Sequence, residues 1–236
     1  MIKVPASRAN RHASTANNLS PEMSPAEHEL LLGILSDEQP AGKRLEIGTA
    51  AGGTLCAMLG TFPPESRHFV VVDRMQYFGG QFEAVKRNLE QHGLDPEQVE
   101  FRVMPSASAF REAAQRGDRF DFILIDAGHK VMDVMGDLRW TRLLNEGGVV
   151  CLHDYDRSLS HRGVVLAVDR FISVNPHYER IGYAHRLLAL RKTRQAETPE
   201  VTAADWAYAG LVWLPLRLAR TGAKLWHRVG RKLKRA

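Results

Sequence analysis

Glu46-Ile47-Gly48-Thr49-Ala50-Ala51-Gly52-Gly53-Thr54 is the stretch that decides the fold. The short strand expected at Lys43–Ile47 leads into it, and helically spaced Leu55, Met58 and Leu59 lead out. A short strand, a Gly-rich turn and a helix make the first half of a β–α–β crossover. Glycines in such a turn let the chain reverse sharply and let a ligand approach the backbone.

Working outward, the same alternation recurs. Ser24-Pro25-Ala26-Glu27 is a capping box with Pro at the first helical position, and its helix stops before Pro40. Strands are expected at 68–72, Val99–Val103, Phe120–Ile125 and 149–152. Helices are expected at 81–92, 107–115, 131–144 and 163–174. Strands at 178–183 and 186–190 follow with a connection too short for a crossover, so they must pair antiparallel. Near-continuous apolar strands mean a parallel sheet covered on both faces. The expected class is α/β: a doubly wound, mostly parallel seven-stranded sheet with a late antiparallel hairpin. Residues 1–22 read as a flexible N-terminus, 23–192 as the domain, 193–204 as a linker and 205–236 as a basic amphipathic helix.

Ligands of such sheets sit beyond the carboxyl ends of the strands. Asp73 ends the second strand, where a carboxylate can accept two hydrogen bonds from ribose hydroxyls. The spacing Gly48-x3-Gly52-Gly53 is not the dinucleotide G-x-G-x-x-G. Glu46 beside the turn disfavours a phosphate and suits a cationic ligand, such as the amino group and sulfonium of S-adenosylmethionine. Thr49, Gly53, Thr54 and Arg74 adjoin these positions and complete the expected cofactor shell. The competing interpretation is a turn made only for tight packing.

The segments LEIGTAAGGT, VVVD, FDFILIDAGH, LNEGGVVCLHDY and RGVVLAVDRF occur in that order. Together they resemble a class I S-adenosylmethionine-dependent methyltransferase, within the bacterial family marked by Ile-Asp-Gly-x-His and a later His-Asp-Tyr. The resemblance spans roughly residues 24–191 and implies a Rossmann-like methyltransferase fold. It implies that Glu46, Gly48 and Gly52 hold the methionine part and Asp73 the ribose. The adenine-contacting acid of that family is missing here, where Pro105-Ser106 stand, which leaves Ser106 and backbone groups.

Asp126, His129 and the pair His153-Asp154 converge at strand ends. An alcohol accepts a methyl group only when deprotonated or metal-bound. His129 or His153 could take the proton, or Asp126, Asp154 and a His could hold a divalent cation. The resemblance implies magnesium on the acids after the fourth and fifth strands, with His153 in place of another acid or amide, which favours a softer ion or none. Tyr155, Asp156, His161 and Arg162 either line an acceptor pocket or form an exposed loop.

The whole chain of 236 residues has a net charge of +5. Eight of the 32 Lys/Arg and none of the 27 Asp/Glu fall in 211–236, so residues 1–210 hold 24 basic and 27 acidic side chains, net −3. A nucleic-acid-binding core is disfavoured by that partition. In the tail, Leu211, Leu214, Leu218, Leu225, Val229 and Leu233 recur at helical spacing beside a basic stripe, with Trp213 and Trp226 added. This suits a helix lying on an anionic membrane surface; docking on its own core, contact between homo-oligomer subunits and RNA binding stay open. Pro215 should kink or start that helix. Two separated cysteines and a polar N-terminus place the protein in the cytoplasm, at the inner face of the membrane if the tail docks there.

The expected function is O-methylation of a small hydroxylated acceptor: a sugar, a glycolipid precursor or a natural product. The rivals are a non-catalytic membrane scaffold on the same fold and a nicotinamide-dependent oxidoreductase.

Overall fold

The computed structural model describes residues 23–38 and 41–233, with side chains described through Ala219 and at Thr221. The expected flexible segment 1–22, the tail residues Lys234 and Arg235, and the side chains of Leu225, Trp226, Val229 and Leu233 lie outside that description. The elements in chain order are α1 (Pro25–Glu38), β1 (Lys43–Ile47), α2 (Gly53–Gly60), β2 (Phe69–Asp73), α3 (Gln81–Gln91), β3 (Val99–Val103) and α4 (Ser106–Arg116). Then come β4 (Phe120–Ile125), α5 (Val131–Asp137), β5 (Leu144–Leu152), α6 (Arg162–Val174), β6 (Tyr178–Ala184), β7 (Leu187–Lys192) and α7 (Ala203–Leu233).

One seven-stranded sheet has the order β3-β2-β1-β4-β5-β7-β6. The first five strands pair in parallel, while β7 is antiparallel to both β5 and β6. The order reverses between β1 and β4, the crevice where ligands of open α/β sheets bind.

Strand alternation explains why the strands read as continuous apolar runs. Leu45, Ile47, Val70, Val72, Ile123, Ile125, Val150 and Leu152 face one layer; Phe69, Val71, Phe122, Leu124, Val149 and Cys151 face the other. Leu31 and Leu35 of α1, Leu55 and Met58 of α2 and Val85 and Leu89 of α3 cover the second face. Helices α4, α5 and α6 cover the first, joined by Ala209 of α7. Arg44 and Glu46 are buried polar residues on β1, and alternation with Leu45 and Ile47 places them on the α2 side of the sheet. Both cysteines are buried and free.

The capping box forms as expected: the Glu27 amide donates to Ser24 Oγ at 3.4 Å, and the Ser24 amide donates to Glu27 Oε2 at 2.6 Å. Such a cap is worth about 1 kcal/mol.

Two boundaries differ from expectation. The helix expected over 131–144 ends at Asp137 and tightens into a 3₁₀ turn, Leu138–Leu143. Trp140 lies in that turn, fully buried and edge-on to Phe110 and Phe120, so packing of one large ring overrides helical continuation. Strand β5 starts at Leu144, ahead of the expected residue 149, because Gly147 takes a φ of 81° that lets the extended chain run through the Gly147-Gly148 pair.

The stretch 193–204 is anchored along the way. Glu200 is buried against Lys192, with Nζ to Oε1 at 2.8 Å, and accepts from Thr141 Oγ1 at 2.7 Å. Asp205 accepts from the Thr202 amide at 2.8 Å, which caps α7, and pairs with Arg170 at 2.8 Å. Pro215 lies inside α7 and does not start it. Among the described residues, no helix is long and apolar enough to cross a membrane.

Candidate functional site

The loop after β1 is held rigid from three sides. Gly48 takes a φ of 85° and donates to Val72 O at 3.0 Å. A Cβ there would sit 2.2 Å from the Asp126 carbonyl oxygen, so only glycine lets β1 pass the end of β4. Gly52, also at a φ of 85°, is the residue before α2 and donates to Thr49 O at 2.7 Å. From α3, Gln81 Nε2 donates to Ala50 O at 2.9 Å and Asn88 Nδ2 to Ala51 O at 2.7 Å. These two buttresses were not legible in the sequence, since α3 reads as an ordinary amphipathic helix.

Asp73 closes the loop from β2. Its Oδ2 accepts the Thr49 amide at 3.0 Å and its Oδ1 the Met75 amide at 2.6 Å. Each oxygen keeps a second lone pair for a ligand. Arg74 beside it is exposed, and Gly53 and Thr54 are half-buried at the start of α2.

Glu46 carries the strongest electrostatic signal. Its Oε2 is buried with no hydrogen-bond partner. Burial pushes its carboxyl up to about 8; the nearby Thr49 hydroxyl opposes this, while the charges of Asp126 and Asp73 add to it. A buried acid aimed at a Gly-rich loop and ringed by carboxylates is a place for a cationic group.

Ser106, expected near an adenine ring, accepts from Trp140 Nε1 at 2.9 Å. Its hydroxyl also touches Asp137, whose carboxyl burial raises to about 7 despite that bond, with the charge of Asp133 adding to the rise. Ser106 thus sits in a buried polar cluster with Trp140 and Asp137.

Beyond β4 and β5 the structure brings together Asp126, His129, His153 and Asp154. His153 Nδ1 lies 3.0 Å from Asp126 Oδ1 and 3.7 Å from Asp154 Oδ1, and its Nε2 lies 3.5 Å from Glu27 Oε1. Burial alone would lower the His153 pKa, but the Asp126, Asp154 and Glu27 carboxylates outweigh it and hold the ring up to about 9. An imidazolium locked between carboxylates is a poor proton acceptor at neutral pH. His153 therefore acts as the counter-charge of Asp126, Asp154 and Glu27. Magnesium requires an octahedral shell of oxygen donors. One ligand atom from each of Asp126, His153 and Asp154 lies within 4.8 Å of the others, and the imidazole nitrogen among them favours a softer ion than magnesium.

Glu27 was missed from sequence. The capping-box residue also accepts the Arg186 amide at 3.0 Å and underlies His153, so it ties α1 to the site. His161 joins as well: its Nε2 lies 3.5 Å from Asp154 Oδ1 and its Nδ1 2.6 Å from Asp156 Oδ2. Asp156 in turn lines a cavity of about 630 Å³ with Tyr155, Val165, Asp169, Arg180 and Tyr183. The Tyr155 hydroxyl donates to Asp169 Oδ1 at 2.5 Å, and its ring meets that of Tyr183 edge-on at 6.0 Å. Arg162 is exposed at the start of α6.

Comparison with known proteins points the same way. Residues 45–155 match the model of a family described as a methyltransferase domain. The chain is similar in structure to the O-methyltransferase from Bacillus cereus solved with S-adenosylhomocysteine: 18% identity, 81% of this chain and 93% of that one covered, TM-score 0.61. It is also similar to an O-methyltransferase of tomaymycin synthesis from Streptomyces achromogenes, solved with S-adenosylmethionine: 17% identity, 80% and 90% covered, TM-score 0.59. A third is the TDP-rhamnose 3'-O-methyltransferase of calicheamicin biosynthesis: 16% identity, 81% and 96% covered, TM-score 0.53. No curated protein sequence gives a significant match. The sheet order, the antiparallel end and the matched segment establish the Rossmann-like methyltransferase fold.

Proposed function

We propose that this protein is an S-adenosylmethionine-dependent O-methyltransferase acting on a small hydroxylated acceptor. The observation that carries the proposal is the orphaned, buried Glu46 Oε2 behind a loop that only glycine can form at position 48. The loop would hold the methionine part, with Glu46 facing its amino group, and Asp73 the ribose. The acceptor oxygen attacks the methyl carbon, the carbon–sulfur bond breaks, and its electron pair stays on sulfur to give S-adenosylhomocysteine. The hydroxyl proton is taken by Asp126, the carboxylate that His153 holds at 3.0 Å, beside the cluster of His129, Asp154 and His161.

The cavity beside that cluster supports a sugar or sugar-containing acceptor. Tyr155 and Tyr183 offer aromatic faces, and Asp169 and Arg180 offer hydrogen-bonding groups, which suits a ring carrying several hydroxyls.

The Glu46 assignment has a proton signature. Glu46 keeps its proton up to about pH 8 in the free protein, and an ammonium arriving beside Oε2 drives it off. Affinity should therefore rise with pH up to about 8 and then level. Calorimetric titration with S-adenosylhomocysteine at pH 7, in two buffers of different ionisation enthalpy, should show release of close to one proton per ligand. Glu46→Gln should release none and bind about 10- to 100-fold more weakly, the worth of one charged hydrogen bond. Equal heats in both buffers for the wild type would remove Glu46 as the partner of the amino group.

The outer face of α7 adds a membrane contact to the proposal. Trp206, Val212, Trp213 and Leu216 pack on the core, whereas Leu211, Leu214 and Leu218 stay 77%, 53% and 64% exposed. That exposed stripe lies at the start of the basic run of the sequence, a pattern suited to an anionic bilayer surface. Removing everything from Asp205 would also break its ion pair to Arg170, so a surface variant is the cleaner test. Leu211→Glu/Leu214→Glu/Leu218→Glu should lose binding to phosphatidylserine vesicles in flotation while keeping its melting temperature. Undiminished vesicle binding would place the contact elsewhere, and a change of oligomeric state in ultracentrifugation would assign the stripe to a second copy of the chain.

A further inference from the structure

We propose that His129, Asp154 and His161 form a binding site for a divalent transition-metal ion of the zinc or cobalt class. One ligand atom from each of the three lies within 4.8 Å of the others. Asp154 is the hub: Oδ2 is 2.7 Å from His129 Nε2 and Oδ1 is 3.5 Å from His161 Nε2. Tetrahedral zinc with bonds of about 2.0–2.1 Å needs neighbouring donors about 3.3 Å apart. The 3.5 Å Asp154–His161 edge is close to that, and the 2.7 Å Asp154–His129 contact is a hydrogen bond that opens as the ion replaces its proton.

The surroundings are those of a ligand set. His161 Nδ1 is held at 2.6 Å by Asp156 Oδ2, and Asp156 Oδ1 accepts the Ser158 amide at 2.6 Å. A carboxylate on the far nitrogen of a histidine fixes the tautomer that leaves Nε2 as donor, the usual outer support of a metal-bound imidazole. Asp154 takes a φ of 59°, a left-handed conformation uncommon for a side-chain-bearing residue, and is pinned by Arg186 Nη1 at 3.0 Å.

The loops carrying the two histidines are also locked together. A Cβ on Gly163, two residues after His161, would come within 2.5 Å of His129 O and 2.7 Å of Val131 N. The two imidazoles stand edge-on, 5.0 Å between ring centres. Two imidazoles and one carboxylate select zinc, cobalt or iron over magnesium, and leave positions open for a water or substrate oxygen. The set shares Asp154 with the His153 cluster but does not need His153.

Binding of the ion is independent of methyl transfer; only its use, holding the acceptor hydroxyl, rests on that reading. Full-length protein, stripped with chelator, is titrated with ZnCl₂ by calorimetry and with CoCl₂ by visible absorption, in the absence of cofactor. The expected result is one zinc per chain, visible bands of a low-coordinate cobalt site, and no competition from a large excess of MgCl₂. His129→Ala and His161→Ala should each abolish the cobalt bands with unchanged circular dichroism. Asp156→Asn keeps all three ligands and should weaken zinc about 10- to 100-fold. Absence of the cobalt bands in the wild type, or the same bands and stoichiometry in both histidine variants, would overturn the site. Either failure leaves the cofactor titrations untouched, so the two proposals fail separately.

Discussion

Gly48→Ala should reduce S-adenosylmethionine affinity by about 100-fold or more, equivalent to roughly 2.8 kcal/mol. Two independent causes act at this position. The added Cβ would lie 2.2 Å from the Asp126 carbonyl oxygen and 2.9 Å from Ala127 Cα, both backbone atoms that cannot rotate away. The φ of 85° also lies in the left-handed region, which costs an alanine about 1–2 kcal/mol. Relief requires the end of β1 to withdraw from the end of β4. Asp126 N donates to Ile47 O at 2.9 Å and Gly48 N to Val72 O at 3.0 Å, so the withdrawal moves Glu46, Asp73 and Asp126 relative to one another. Equilibrium titration and a melting curve read the two consequences. Gly60→Ala is the control, because a Cβ there meets nothing within 4 Å and its φ is ordinary. Near-wild-type affinity in Gly48→Ala would mean that the cradle tolerates a side chain and is not built around a close ligand.

Lys192→Ala should destabilise the protein by about 3–5 kcal/mol, the cost of leaving one partner of a buried ion pair unmatched. Lys192 and Glu200 are 1% and 2% exposed, with Nζ also donating to Thr141 O at 2.9 Å and Leu144 O at 3.0 Å. Removing the ammonium leaves the Glu200 carboxylate with Thr141, His177 and Tyr178 as partners. At roughly 2–4 °C per kcal/mol for a chain of this size, the melting temperature should fall by about 6–20 °C. Lys192→Met/Glu200→Gln should recover part of that loss, since neither charge remains. The pH dependence has a definite sign. Burial raises the Glu200 pKa, but Lys192, Thr141 and His177 outweigh it and leave the carboxyl below its usual 4.5. Its stabilising contribution is therefore present above about pH 4.5 and lost as pH falls through the lower folded value. A Lys192→Ala protein melting within a degree of wild type would show that 193–202 is not anchored through this pair.

The fold was legible because it rests on local signals. Strands buried on both faces leave apolar runs, the capping box marks α1, and a connection of a few residues forces the β6–β7 hairpin to be antiparallel. Glu46, Gly48, Gly52 and Asp73 were legible too, since a strand–turn–helix unit fixes where they sit. The departures have non-local causes. Glu27 reads as a cap, yet it reaches Arg186, 159 positions away, because α1 packs under the β6–β7 turn. His153 reads as a base until Asp126, Asp154 and Glu27 are seen around it. His161 reads as a loop residue, yet the close approach of the chain at Gly163 to His129 O and the contact with Asp156 place it beside Asp154. Linker composition at 193–204 hid Glu200, whose partners lie on β7 and in the turn after α5.

Titration of the full-length protein with S-adenosylmethionine decides whether the loop at Gly48 is a cofactor cradle. Saturable binding at one site per chain, weakened about 100-fold or more in Gly48→Ala and retained in Gly60→Ala, is the predicted result. A wild-type protein that binds neither S-adenosylmethionine nor S-adenosylhomocysteine would contradict it, whatever the fold.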